Sequence, residues 1–264
     1  MRAIPIDDPA DPRVAAYLNI RERDLTGREG RFIAEGKVVL NVLFSARRFV
    51  PESVLVLENR LAGLAETLSS APDDLPVYVA SAEVIDAIAG FHMHRGILAI
   101  GRRRHAESIA SVVQTLPSHA LVMVLVGIAN HDNVGSMFRN AAAFGCDAVL
   151  LDETSCDPLY RKSIRVSVGA ALKVPFALGG TGLQIASVLE AAGFTQLALS
   201  PAGKMDITEI ARPDRLALYF GAEGPGLPQA ILDRVDTARI RMAPGFDSLN
   251  VSAASAITLH HFMA

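Results

Sequence analysis

ALVMVLV, Ala120 to Val126, running straight into GIANHDNVGSMFRNAAAFG, Gly127 to Gly145, decides the fold class of this chain. Seven consecutive apolar residues do not suit a strand with one wet face, whose side chains alternate in and out. They read as a strand covered on both sides. The polar run Asn130, His131, Asp132, Asn133 then breaks the strand, and a helix of small residues is predicted from near Val134, interrupted by Arg139. Strand, loop and helix form the repeating unit of a parallel sheet, because each right-handed crossover needs a helix to return the chain to its starting edge. The alternation continues: beside Ala120 to Ile128, strands are predicted at Ala148 to Leu151, Val174 to Leu178, Gln196 to Leu199, Leu216 to Phe220 and Ala238 to Met242.

Upstream the pattern is α/β as well, on a smaller scale. RFIAEG, SVLVL, VYVA and GILAIG read as strands, separated by helical KVVLNVLFSA, a helix over about 60–68, and AEVIDAIAG. RRRHAESIASVVQTLPSH is basic, then weakly helical, then broken by Pro117, which suits a connector. The predicted organisation is therefore an accessory domain over 1–105, a linker over 106–118 and a parallel-sheet domain over 119–264.

Bulk composition narrows the function classes. Half of the 264 residues are apolar, enough for a sizeable core, and the net charge of −3 argues against coating nucleic acid by sheer positive charge. Cys146 and Cys156 are the only cysteines and form no CxxC pattern; the seven histidines are scattered, so no metal is expected. The longest apolar run is far short of the ~18 residues a membrane helix requires. The start, MRAIPIDDPADP, lacks an apolar signal core, and a cytoplasmic protein is expected.

Three predicted strands run directly into unusual loops: NHDNVG, GAEGPGLP and APGFDSLN. In a parallel sheet these emerge on one carboxyl edge, where open α/β sheets bind ligands. The second loop carries Gly221, Gly224 and Gly226 in a GxxGxG spacing, with no Walker lysine, so dinucleotide and P-loop readings lose their mechanism. It reads as a close backbone approach to a ligand, or as a tight turn with Pro228 opening a helix. In the third, Asp247 or Ser248 suits a helix N-cap, yet Ser248, Asn250 and Ser252 supply more polar groups than a cap needs. Arg139 sits among Ala141, Ala142, Ala143 and Phe144, where an unpaired guanidinium is costly and a polar or anionic partner is expected. An arginine reaching from a helix to solvent is the other reading.

Taken together, NVGSMFRNAAAFG, GAEGPGL and SLNVSAASAI make the chain resemble the SpoU (TrmH-like) family of RNA ribose 2′-O-methyltransferases, within the SPOUT class. The resemblance implies a parallel-sheet domain with a deep trefoil knot, S-adenosyl-L-methionine as cofactor, a homodimer, and structured ribosomal or transfer RNA as substrate. It assigns Asn133, Arg139, Glu223, Ser248 and Asn250 to catalysis, and Gly221, Ile240 and Leu249 to the cofactor. RFIAEGKVVLNVLFSA and HRGILAIG resemble the family's accessory RNA-binding domain, a small ribosomal-protein-like α/β fold. That makes Glu35, Lys37, His94 and Arg95 candidates for RNA contact, with Glu35 and Gly36 equally readable as turn chemistry. Arg161, Lys162 and Arg165 read as a phosphate track or as a solvated helix face. Two positions depart from the family pattern: His131 and Arg241 stand where it has proline.

The chemistry so implied needs a ribose oxygen aligned behind a methyl group. Guanidinium does not deprotonate in proteins, so Arg139 reads better as a clamp on phosphate and developing negative charge than as a base. The alternative is an inactive RNA-binding or assembly protein of the same fold, against which the intact five-residue set argues.

Overall fold

The computed structural model describes residues 3–18, 30–245 and 248–263. They divide into two units, Met1–His105 with Leu159–Leu172, and Ala106–Pro158 with Lys173–Ala264.

The first unit holds β1 (Ala3–Pro5), β2 (Arg31–Glu35), β3 (Phe49–Leu57), β4 (Val77–Ala80) and β5 (Ile97–Arg103), ordered β1-β4-β3-β5-β2. β4 runs parallel to β1 and β3, while β5 is antiparallel to β3 and β2. The apolar run of AEVIDAIAG folds as the helix Ala82–Ala89. Ser81 accepts from the Val84 N–H at its start, and left-handed Gly90 stops it. Its Ile85 and Ile88 pack with Leu55, Tyr78 and Leu98. β1 was not predicted; its Pro5 is tolerated because β1 is an edge strand, where a missing N–H breaks no ladder. Leu159–Leu172, predicted within the carboxyl-terminal domain, packs with the first unit through the helix Arg161–Val166, whose Ser163 and Ile164 are buried.

In the second unit β6 (Ala120–Val126), β7 (Ala148–Leu151), β8 (Phe176–Leu178), β9 (Thr195–Leu199), β10 (Met205–Asp206), β11 (Arg215–Gly221) and β12 (Asp236–Arg239) form one sheet ordered β10-β12-β9-β11-β6-β7-β8. Every neighbouring pair is parallel. All seven residues of β6 are buried, as an apolar strand covered on both faces requires. Two expectations need correction. The segment predicted as linker carries the helix Ile109–Gln114, capped by Ser108, and its Val112 and Val113 lie in the core with Val122, Ala177 and Leu189. At ~1.5–3 kcal/mol per fully buried aliphatic side chain, such burial makes it part of the domain. The last strand ends at Arg239 rather than Met242, and a two-residue strand, β10, pairs beside it.

Among the described residues no helix is long and apolar enough to cross a membrane, and no group of three or more His, Cys, Asp or Glu is placed to hold a metal ion.

Candidate active site

β6 and β11 pair in register from Ala120 with Arg215 to Val126 with Gly221, so the first polar loop and the glycine loop leave the sheet side by side. After Val126 the chain turns through Gly127, at φ +70°. The buried carboxylate of Asp152 fixes that turn, accepting from the Gly127 N–H at 3.0 Å and from the Ser155 hydroxyl at 2.7 Å. Ser155 in turn accepts from the Ile128 N–H. Asn130 then caps the helix His131–Ala143 by accepting from the Asp132 N–H at 2.8 Å. The helix therefore begins three residues before the predicted start, and Asn133 lies in its first turn. His131 holds the first helical position, where a backbone N–H has no intrahelical acceptor and proline, lacking the N–H, loses nothing. Its replacement of proline leaves the cap intact.

The glycine loop closes on itself. Ala222 and Gly226 form an isolated bridge, with the Gly226 N–H donating to the Ala222 carbonyl at 3.0 Å. A Cβ on Gly221 would stand 2.3 Å from the Gly226 carbonyl carbon and 2.3 Å from the Leu227 nitrogen, so only glycine permits this backbone approach. Pro228 stands one position earlier than predicted, as the N-cap of Gln229–Leu232. The third loop is capped by Asn250, not by Ser248; Asp247 lies outside the described residues.

Asn250 joins the loops. Its Nδ2 donates to Asn133 Oδ1 at 3.1 Å and to Glu223 Oε1 at 2.6 Å, while its Oδ1 accepts from the Ser252 N–H at 2.9 Å and the Ser252 hydroxyl at 2.8 Å. Both donors and both acceptor sites of the amide are thereby used, which fixes its orientation. One residue from each loop thus meets in one network, although Asn133 and Asn250 are 117 residues apart. The network also accounts for a residue not singled out in the sequence. Asn140 donates to the Ser252 carbonyl at 2.8 Å and the Ser255 hydroxyl at 2.9 Å, tying His131–Ala143 to the last helix, Val251–Phe262. The signal was the second polar residue of the pair Arg139-Asn140 within a small-residue helix.

Beside this network lies a cavity of roughly 180 Å³, lined by Gly221, Glu223, Ile240, Ser248 and Leu249 among others. Leu199, Phe220 and Met242 add apolar wall. Arg139 is elsewhere. It is exposed, as are Ala142 and Ala143 of its helix, and no hydrogen bond or ion pair ties it to a described residue.

Arg241, in place of proline, forms part of the neighbouring rim. Its Nε donates to Asp206 Oδ2 at 3.0 Å, and Arg239 Nη1 donates to the carbonyls of Gly203 and Lys204 at 2.7 and 2.9 Å. These bonds hold the Pro201–Asp206 segment against the chain that continues into Ile240 and Met242. The hydrogen bond from the Thr208 hydroxyl, then that from the Thr208 N–H and the nearby Arg241, hold the Asp206 carboxyl below its ordinary pKa. A depressed folded pKa stabilises the fold above the unfolded value of ~3.9 and loses that stabilisation as pH falls through the folded value. Asp206→Asn is therefore expected to lower Tm at neutral pH, and the deficit against wild type should shrink as thermal melts are repeated below about pH 4. A deficit constant down to pH 2 would contradict this.

The first unit has its own polar recess, about 650 Å³, lined by His94, Arg95, Arg161, Lys162 and Arg165 among others. The structure thus gathers six of the seven residues predicted for RNA contact, Glu35 included. Lys37 is not among them; its Nζ donates to the Gly63 carbonyl at 3.0 Å. Arg161 Nη1 pairs with Glu35 Oε2 at 3.0 Å and its guanidinium lies 5.0 Å from the Phe91 ring centroid. Glu35, 7% exposed, is thus turned to a cation rather than to solvent. Gly36, at φ +93°, is the N-cap of Lys37–Ser45, which is turn chemistry.

A family model described as the SpoU rRNA Methylase family matches residues 120–260. Over 263 residues the chain is 39% identical to an uncharacterized tRNA/rRNA methyltransferase of Mycobacterium bovis, covering 96% of this chain and 89% of that protein. It is 29% identical over 185 residues to the 23S rRNA (guanosine-2′-O-)-methyltransferase RlmB of a Burkholderia species, covering 68% of this chain and 74% of that one. Among solved structures, the AdoMet-bound rRNA methyltransferase of Sinorhizobium meliloti has the same fold, with a TM-score of 0.82 at 21% identity over 98% of this chain and 97% of that chain.

Proposed function

The chain belongs to the SpoU rRNA methylase family, and on that premise we propose that it methylates a ribose 2′-hydroxyl of ribosomal or transfer RNA, with S-adenosylmethionine as methyl donor. One observation carries this reading: Asn133, Glu223 and Asn250, one from each of three loops, are hydrogen-bonded beside the cavity that Gly221, Ile240 and Leu249 line.

The cavity suits the cofactor in its chemistry. Leu199, Phe220, Ile240, Met242 and Leu249 offer an apolar enclosure for a purine, and the bare backbone at Gly221 allows close approach of main-chain groups. When bound, S-adenosylmethionine supplies a methyl group on a positively charged sulfonium, open to in-line attack by an oxygen. The protein's own share is positioning and charge. Asn250, with its amide saturated, is a positioning residue that holds the glycine loop through Glu223 and the first helix through Asn133. Ser248, at the cavity wall, orients the ribose. Arg139 clamps the RNA phosphate and stabilises charge developing on the attacking oxygen. The hydroxyl proton leaves to a phosphate oxygen or to water, since guanidinium is no base.

Arg139 lies apart from the network within one chain, which supports a homodimer in which a second copy completes each site. The outer faces of His131–Ala143 and Val251–Phe262, with Ala143, Ala253, Ile257 and Met263 exposed, offer an apolar patch for that contact. Family membership supports a carboxyl-terminal trefoil knot. The first unit, with Arg95, Arg161, Lys162 and Arg165 around one recess, is the RNA-binding domain, and Lys37 adds a peripheral contact. No membrane partner is invoked, and the protein acts in the cytoplasm.

Calorimetry provides the test. The protein is expected to take up S-adenosylhomocysteine and to ignore ATP, and maps of 2′-O-methyl marks in cells with and without the gene should differ at a defined nucleotide. Uptake of RNA without any cofactor would instead mark an inactive RNA-binding protein.

A further inference from the structure

The first unit carries a second concentration of positive charge, away from the recess at Arg95 and Arg161. β2 and β5 are antiparallel, with Arg31 opposite Arg102 and Glu35 opposite Leu98. The recess lies at the Glu35 end, and Arg31 marks the other end, about 13 Å away at the rise of an extended strand. To that far end the fold brings three separate segments. Arg102 pairs across to both Arg31 and Val50, Arg103 stands opposite Phe49, and the Arg104 N–H donates to the Arg48 carbonyl. Arg31, Arg47, Arg102 and Arg104 are thus brought to one end of the sheet, where Glu52 lies between Arg31 and Arg102.

The carboxylate is shared. Glu52 Oε2 accepts from Arg31 Nε at 2.7 Å and Oε1 from Arg102 Nε at 2.7 Å. Like charges directly opposite on neighbouring strands destabilise a sheet, and Glu52 offsets this for Arg31 and Arg102. Arg104 Nε donates to the Arg47 carbonyl at 3.0 Å, a neutral acceptor, and Arg47, Arg102 and Arg104 are all exposed. Exposed guanidinium groups held together in this way are placed to meet an anion.

We propose that this arginine end of the sheet binds the phosphate backbone of the RNA substrate, as a contact separate from the recess at Arg95 and Arg161. The inference rests on the RNA methyltransferase reading above. Guanidinium groups presented on an open face, drawn from three segments rather than enclosing one cavity, suit a chain of phosphates better than a single small anion. Contacts at both ends of one sheet also favour folded RNA over a lone nucleotide.

The test uses the full-length protein and a fluorescently labelled RNA hairpin of arbitrary sequence, since phosphate contacts are indifferent to sequence. Anisotropy titrations over a range of KCl give the slope of log K against log salt. The triple variant Arg47→Gln, Arg102→Gln, Arg104→Gln is expected to flatten that slope by about 2 and to weaken binding roughly a hundredfold near 0.1 M salt. The matching triple lysine variant should keep the slope, because charge rather than shape is being tested. S-adenosylhomocysteine uptake should remain at the wild-type level in both variants, which separates failure here from failure of the methyltransferase reading. An unchanged slope with RNA affinity within about twofold of wild type overturns the proposal. Loss of polyglutamate binding at unchanged RNA affinity overturns it in favour of an acidic protein surface.

Discussion

Gly221→Ala is expected to lower affinity for S-adenosylhomocysteine about a hundredfold in calorimetry, with turnover falling in step at subsaturating cofactor. The added methyl group would meet the Gly226 carbonyl carbon and Leu227 nitrogen at 2.3 Å, and backbone cannot swing aside as a flexible side chain does. Relief requires the bridge between Ala222 and Gly226 to open and the loop to leave the cavity wall it shares with Ile240 and Leu249. Overpacking of this kind costs ~1–3 kcal/mol, and here that cost falls on the surface proposed to hold the cofactor. Affinity within about threefold of wild type would show that the loop does not shape the cofactor site.

Arg139→Ala is expected to reduce single-turnover methyl transfer by roughly 10²–10³, the usual loss when one donor to a developing anion is removed. S-adenosylhomocysteine affinity should stay at the wild-type level, because Arg139 does not line the cavity and is exposed. Arg139→Lys separates two versions of the role. A planar fork holds phosphate in two parallel bonds where an ammonium acts as a point charge, so the lysine variant should recover only a minor part of the lost rate. Near-normal turnover with lysine would contradict a need for the fork.

Both predictions concern residues visible in the sequence, and the reason is local. β6 could be read because seven apolar residues in a row admit few other structures, and the loops after β6, β11 and β12 because glycine and Asn-Ser clusters interrupt apolar runs. What escaped depends on partners far along the chain. The tie of Arg241 to Asp206 spans 35 residues, and nothing near Arg241 announces it. Cap positions shifted by a few residues at Asn130 and Asn250, because Asn, Asp and Ser stand close together in both loops and all are competent caps. β1 and β10 are too short for a periodic signal. The helix Ile109–Gln114 looked like connector because a six-residue helix shows barely two turns, and only the burial of Val112 and Val113 reveals it as core.

The excursion of Leu159–Leu172 into the first unit bears on how the protein is made. A nascent chain that has emerged as far as His105 still lacks the helix that completes that unit, and buried Glu35 awaits a cation 126 residues later. The second unit is interrupted in turn, with Ala106–Pro158 synthesised before the excursion and the rest after it. Vectorial folding, amino-terminal domain first, is thereby delayed: the first unit is complete only once Leu172 has left the ribosome, and the second only when the residues after it have followed. A fragment cut after residue 105 would lack both the guanidinium that pairs with Glu35 and the helix whose Ser163 and Ile164 are buried, a loss that works against autonomous folding.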